Sequence, residues 1–126
     1  SSQAHVRVAS SPLFQGRVER AKERLAALVL ALRSGQWPEA FELCWSEFWD
    51  MHALFETSRP SFGYMNAKTM QALERFRKVW AHEGDGPLVT MDAGPNVHLL
   101  LRPDQVGRAS EWLQGFQALK SWKENS

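Results

Sequence analysis

A proline-containing turn between two short apolar runs constrains this chain more than any other feature. The segment reads Val89-Thr90-Met91-Asp92-Ala93-Gly94-Pro95-Asn96-Val97-His98-Leu99-Leu100-Leu101. Pro95 fixes its own φ, and Gly94 tolerates backbone angles that other residues resist. Asn96 can bond its own backbone within a turn. Two apolar runs joined by so short a connection are expected to pair as an antiparallel hairpin. Asp92 then sits at the tip of the first strand, on a rigid support instead of a mobile loop. His98 alternates against Val97 and Leu99, so it faces solvent or a cleft.

The rest of the chain reads mostly as helix. Phe14, Val18, Ala21, Leu25, Leu28 and Leu32 recur at helical spacing and are expected to face inward, with Arg17, Glu19, Arg20, Lys22, Glu23 and Arg24 forming a solvated face. Ser11-Pro12 supplies a start and Ser34-Gly35 a stop. A second helix opens near Pro38, with Phe41, Cys44, Trp45, Phe48, Met51, His52 and Phe55 on its apolar face. It is expected to break at Thr57-Ser58-Arg59-Pro60, since a residue before proline leaves the helical region. Asn66 caps a third helix whose inner face holds Met70, Leu73, Phe76 and Trp80. Glu83 to Pro87 is a turn cluster. Pro103 and Asp104 open a last helix, with Val106, Ala109, Trp112, Leu113 and Phe116 inward. Residues 4 to 9 alternate weakly, as an edge strand or an extended arm. The expectation is a helix-rich α+β fold, with helices packed on one face of a small antiparallel sheet. Two strands alone make a poor sheet, so partner strands are expected from that weak strand or from segments outside the chain.

Bulk composition narrows the function classes. The 126 residues are one domain's worth, and 44% apolar content with six Trp and seven Phe can fill a core. A net charge of +1 gives no electrostatic footprint for nucleic acid. No apolar run is long enough to cross a bilayer. The single Cys44 excludes an internal disulfide framework and fits a reducing compartment, and no Cys/His spacing suits zinc. His52, alone on an apolar helix face, reads as a wall residue.

Several segments, taken in order, resemble the diphosphomevalonate decarboxylases of the GHMP kinase superfamily. Asp92-Ala93-Gly94-Pro95-Asn96 resembles their Asp-Ala-Gly-Pro-Asn motif. Ser1-Ser2 looks like their Ser-Ser element, and Ser10-Ser11-Pro12-Leu13-Phe14 with Arg17 like their Thr-Ser-Pro-x-x-x-x-Arg segment. Met51-His52-Ala53, with Thr57, Pro60 and Tyr64-Met65-Asn66, is similar to a family helix and loop. The resemblance implies a GHMP-kinase C-terminal-type, ferredoxin-like domain over residues 1–126. It also implies that the chain is the C-terminal part of a longer enzyme whose N-terminal domain binds ATP and Mg2+. No glycine-rich phosphate loop occurs here.

The family phosphorylates the tertiary hydroxyl of a mevalonate-type substrate; phosphate and carbon dioxide then leave. The resemblance makes Asp92 the catalytic carboxylate and Ser1 and Ser2 contacts to substrate phosphate. His52, Tyr64, Asn66, Gly94 and Asn96 become wall or support residues, with no metal ligand. Gln3 departs from the pattern, because many members carry Arg after the Ser pair, and Gln makes no charge-assisted bidentate contact with phosphate. The partners implied are mevalonate diphosphate, the N-terminal domain and a second copy of the chain, in the cytoplasm. Alternatives are a phosphomevalonate decarboxylase, a mevalonate-type kinase relative, and a non-catalytic helical interaction or dimerisation domain. An interaction domain would expose an apolar helix stripe and close the space beside Asp92.

Overall fold

The computed structural model describes residues 7–116. Three long helices come first: α1 (Arg17–Arg33), α2 (Trp37–Glu56) and α3 (Ala67–Glu83). A hairpin follows, of β1 (Leu88–Met91) and β2 (Val97–Leu100). A 3-10 turn over Pro103–Arg108 then runs into a one-turn helix, α4 (Ala109–Trp112). This is the helix-rich α+β architecture expected.

Local chemistry sets most boundaries. α1 stops at Ser34, before Gly35 at φ +69°. Pro38 lies in the first turn of α2, where its missing N–H costs nothing. The Asn66 side chain accepts from the Thr69 N–H at 2.9 Å, and Gly84 ends α3 at φ +65°, a left-handed cap that favours glycine.

The core forms where α2 and α3 meet β1. Phe41, Cys44 and Phe48 of α2 pack with Leu73 and Phe76 of α3, Leu88, Val89 and Met91 of β1, and Trp112. A smaller cluster joins Val8, Leu54 and Phe55 to Phe62 and Tyr64. The turn before β1 is tied down by two indoles. Trp37 Nε1 donates to the Gly86 carbonyl at 2.7 Å, and Trp80 Nε1 to the Pro87 carbonyl at 2.8 Å. A Cβ on Gly86 would lie 2.7 Å from Trp80 Nε1, so the close approach requires glycine.

Four expectations are corrected. First, α1 is turned about its axis. Arg17, Arg20 and Arg24 face α2, where Arg17 and Arg24 pair with both Glu47 and Asp50, and Arg20 with Asp50. Val18, Leu25 and Leu32 are exposed instead. Apolar periodicity marks a stripe but not what covers it, and the carboxylates that draw in the arginines lie on another helix. Second, α1 starts at Arg17 and not near Ser11. The Ser11 hydroxyl contacts Thr57 Oγ1 at 2.5 Å and accepts from the Leu13 N–H, which closes a turn. Third, Arg7 and Val8 are helical, so the described end of segment 4–9 is no strand. Fourth, Met70 and Val106 are exposed. The last helix breaks into a 3-10 turn that buries Gln105, whose amide donates to the Gly86 carbonyl and accepts from the Arg102 N–H.

Candidate active site

The hairpin register pairs Leu88 with Leu100, Val89 with Leu99, Thr90 with His98 and Met91 with Val97. Side chains alternate along each strand, so Val89, Met91, Val97 and Leu99 point to the core. Thr90, Asp92 and His98 share the opposite side. Asp92 is the first residue beyond β1, and its side chain is 72% exposed. His98 Nε2 lies 3.5 Å from Asp92 Oδ2, which settles the side that His98 faces.

Two helices hold the turn behind this carboxylate. His52, in the last two turns of α2, is buried, and its Nε2 lies 2.9 Å from the Asp92 carbonyl. A carbonyl only accepts, so Nε2 carries the proton. Nδ1 is then a bare lone pair, and it has no partner among the described residues. Burial pushes the imidazole below its ordinary pKa, against upward pulls from the bond to the Asp92 carbonyl and from the Asp92 and Glu56 charges. His52 is therefore a neutral Nε2–H donor at neutral pH. At the other end of the turn, the buried Thr69 hydroxyl donates to the Pro95 carbonyl at 2.7 Å. Two backbone oxygens of a five-residue turn are thus fixed by side chains of α2 and α3. The carboxylate between them stays open.

Gly94 is needed for contact, not for a left-handed φ, since it is not among the positive-φ glycines. A Cβ there would lie 3.2 Å from Asp92 Oδ1, so its absence leaves room for the carboxylate over the turn. Tyr64 stands behind His52, ring edge to face with centroids 6.1 Å apart, and also meets Phe55. Asn66 acts through Thr69, and Asn96 is exposed on the turn. Ser1 and Ser2 lie outside the described residues. Thr69 was missed from sequence: its place three residues after a capping Asn marks its N–H as the cap partner, but nothing local marks its hydroxyl as a donor to Pro95. Ser10, Ser11, Thr57 and Arg59, from two of the resembling segments, bond one another and brace the N-terminal turn against the end of α2.

No group of three or more His, Cys, Asp or Glu among the described residues could hold a metal ion. The Cys44 thiol is buried, and burial pushes its pKa up, away from a reactive thiolate. What the site offers is one open carboxylate with a braced backbone and an imidazole beside it. Such an arrangement can orient a hydroxyl, accept its proton, or stabilise a positive carbon.

Taken together, these features define a small helix-rich α+β domain that presents a braced, open carboxylate at a hairpin tip. Residues 1–125 match the family model of the mevalonate 5-diphosphate decarboxylase C-terminal domain, and the chain belongs to that family. It is 43% identical to a mevalonate diphosphate decarboxylase from Legionella pneumophila, with a TM-score of 0.84 over 90% of this chain and 36% of that one. The human diphosphomevalonate decarboxylase is 29% identical over 113 residues, 86% of this chain and 28% of the human protein. The structure of MDDEF in complex with MVAPP, AMPPCP and magnesium is 25% identical, with a TM-score of 0.77 over 87% of this chain and 34% of that one. The chain therefore spans well under half the length of these relatives.

Proposed function

We propose that this chain is the carboxylate-bearing C-terminal domain of an ATP-dependent decarboxylase that converts mevalonate 5-diphosphate to isopentenyl diphosphate. The observation that carries the reading is Asp92, open at a strand tip while its own carbonyl is bound by buried His52. A tertiary hydroxyl is a poor nucleophile, and a phosphate leaving a tertiary carbon leaves positive charge behind. One fixed carboxylate serves both stages: it accepts the hydroxyl proton, then faces the cationic carbon. Interactions of this kind are stronger where water is excluded.

Nucleotide and magnesium do not fit the described residues, which build no metal site. In this reading they are held by an N-terminal domain of the longer enzyme. Ser1 and Ser2 contact the substrate phosphates, and His52, Tyr64, Asn66, Gly94 and Asn96 support the turn. No helix among the described residues is long and apolar enough to cross a membrane. We place the enzyme in the cytoplasm on its substrate class and on the free, buried Cys44.

Asp92→Asn in the full natural protein tests the assignment. Turnover is expected to fall about 1,000-fold, within the range for losing a general base, while nucleotide affinity and melting temperature hold. Retained turnover would reject it. Gln3 favours a second reading, in which the substrate carries one phosphate. Comparing kcat/KM on mevalonate 5-phosphate and 5-diphosphate decides between them. The two marks of an interaction domain divide: α1 exposes an apolar stripe at Val18, Leu25 and Leu32, as such a domain would, while Asp92 stays open, as it would not.

A further inference from the structure

His98 stands beside Asp92 with no task in the bracing of the turn. It pairs with Thr90 across the strands, which makes it the diagonal neighbour of Asp92, within reach of a side chain as long as imidazole. Its place is fixed from below, since Val97 and Leu99 on either side of it pack against the core. Nε2 lies 3.5 Å from Asp92 Oδ2, and among the described residues no other Lys, Arg or His pairs with that carboxylate.

A carboxylate that acts twice has a proton to lose in between. In the first stage it takes the proton of the tertiary hydroxyl. In the second it must face the developing cation as an anion, because a neutral carboxyl group offers that carbon little. The proton therefore has to go before phosphate does. A substrate seated on Asp92 screens it from water, so the proton needs a carrier at the edge of the site.

Two imidazoles flank the turn. His52, from α2, is only 1% exposed and bonds the backbone carbonyl of Asp92 on the core side. Glu56, also on α2, bears on His52 by its charge. From α3 the turn receives the Thr69 hydroxyl, which carries no charge. His98 reaches the carboxylate itself, and its side chain is 50% exposed, so it has water behind it. Imidazole is the side chain that both accepts and gives up a proton near neutral pH.

We propose, on the reading of Asp92 as the catalytic carboxylate, that His98 is its proton relay and clears the carboxyl group between the two stages. The hydroxyl O–H bond breaks as Asp92 Oδ2 gains the proton. The Oδ2–H bond then breaks as an Nε2–H bond forms, which leaves a carboxylate beside an imidazolium. The imidazolium gives a proton to bulk water and returns to neutral. Asp92 is then an anion when phosphate leaves the carbon with the C–O electron pair. The 3.5 Å contact is long for a hydrogen bond, and contacts of this kind tighten when substrate is bound.

Single-turnover kinetics of the full natural protein on mevalonate 5-diphosphate, with ADP and CO2 followed separately, test the relay. Gln has a polar side chain but cannot take up a proton. In His98→Gln, ADP is expected to form at nearly the wild-type rate. CO2 release is expected to slow about 100-fold, the low end for losing a proton-transfer group. His98→Ala should show the same split, and added imidazole should restore its CO2 release, because the vacated place is open to solvent. Melting temperature should hold in both variants, since the side chain removed is half-exposed. Equal slowing of ADP and CO2 would mean that His98 only positions the carboxylate, and overturns the relay. An unchanged rate of CO2 release overturns it too, as does a His98→Ala protein that imidazole leaves slow. Asp92→Asn keeps the two readings apart. Full turnover in that variant rejects the role of Asp92 itself, whereas a relay that fails alone leaves Asp92→Asn inactive and His98→Gln as fast as wild type.

Discussion

At the scale of single residues, the site depends on who bonds to which backbone oxygen. His52 could have been any buried apolar residue if packing were its only task. Its Nε2–H reaches the Asp92 carbonyl, and the cost is an unpartnered Nδ1 in a buried setting. Gly94 matters for a different reason, since a methyl there crowds Asp92 Oδ1 at 3.2 Å. Gly94→Ala is therefore expected to displace the carboxylate while leaving the fold intact. In the full protein, kcat should drop about 10-fold or more, since misplacing a catalytic group by even 1 Å costs up to about 100-fold. Melting temperature should barely move, and unchanged kcat would show that the carboxylate has slack. The Asp92 motif and the Asn66 cap were both readable from sequence. The donors onto Asp92 and Pro95 were not, because His52 and Thr69 lie 40 and 26 residues away along the chain.

At the scale of elements, the seam between α1 and α2 is the most informative. Arg17 and Arg24 each reach both Glu47 and Asp50, and Arg20 reaches Asp50, so a shared cluster of ion pairs ties α1 to α2 across the Ser34-Gly35 turn. Asp50 is only 9% exposed and receives all three arginines. The hydrogen bond from Arg20 leads in holding its carboxyl near 2, below its ordinary 3.8; burial opposes, and Arg24 and Arg17 add to the drop. A depressed carboxyl stabilises the fold fully above its unfolded pKa and loses that contribution as the folded state also takes up the proton. Stability from Asp50 is thus complete above about pH 4 and fades towards pH 2. Asp50→Asn is expected to cost about 2 kcal/mol in urea unfolding at pH 7, the worth of a carboxyl held near 2 instead of 3.8, and it leaves Arg20 without its carboxylate partner. The same variant should lose less stability than wild type between pH 4 and pH 2. A parallel acid profile would mean that other groups carry it.

At the scale of the whole molecule, the hairpin is only as firm as the helices behind it. β1 is almost fully buried, with Val89 at 0%, while β2 alternates between half-buried and exposed. Phe48 sits where α2 supports the sheet, packed edge to face on Trp45 and only 1% exposed. Phe48→Ala is expected to cost about 3–5 kcal/mol by chemical denaturation, the range for emptying an aromatic site in a packed core. A cost below 1 kcal/mol would mean that the core collapses onto the gap. Local events were legible in the amino-acid order alone. It set the turn at Gly94-Pro95, the stops at Gly35 and Gly84, the Asn66 cap, the extent of α2 and α3, and the motif series of the family. These depend on φ preferences and on bonds spanning a few residues, so a short stretch suffices to specify them. Packing between distant segments set which side of α1 turns inward, how the last helix breaks, and that α2 and α3 grip the turn under Asp92. Those outcomes come from charges, donors and apolar surface brought together across 20 to 50 residues of chain, where mutual burial outweighs what any one segment prefers.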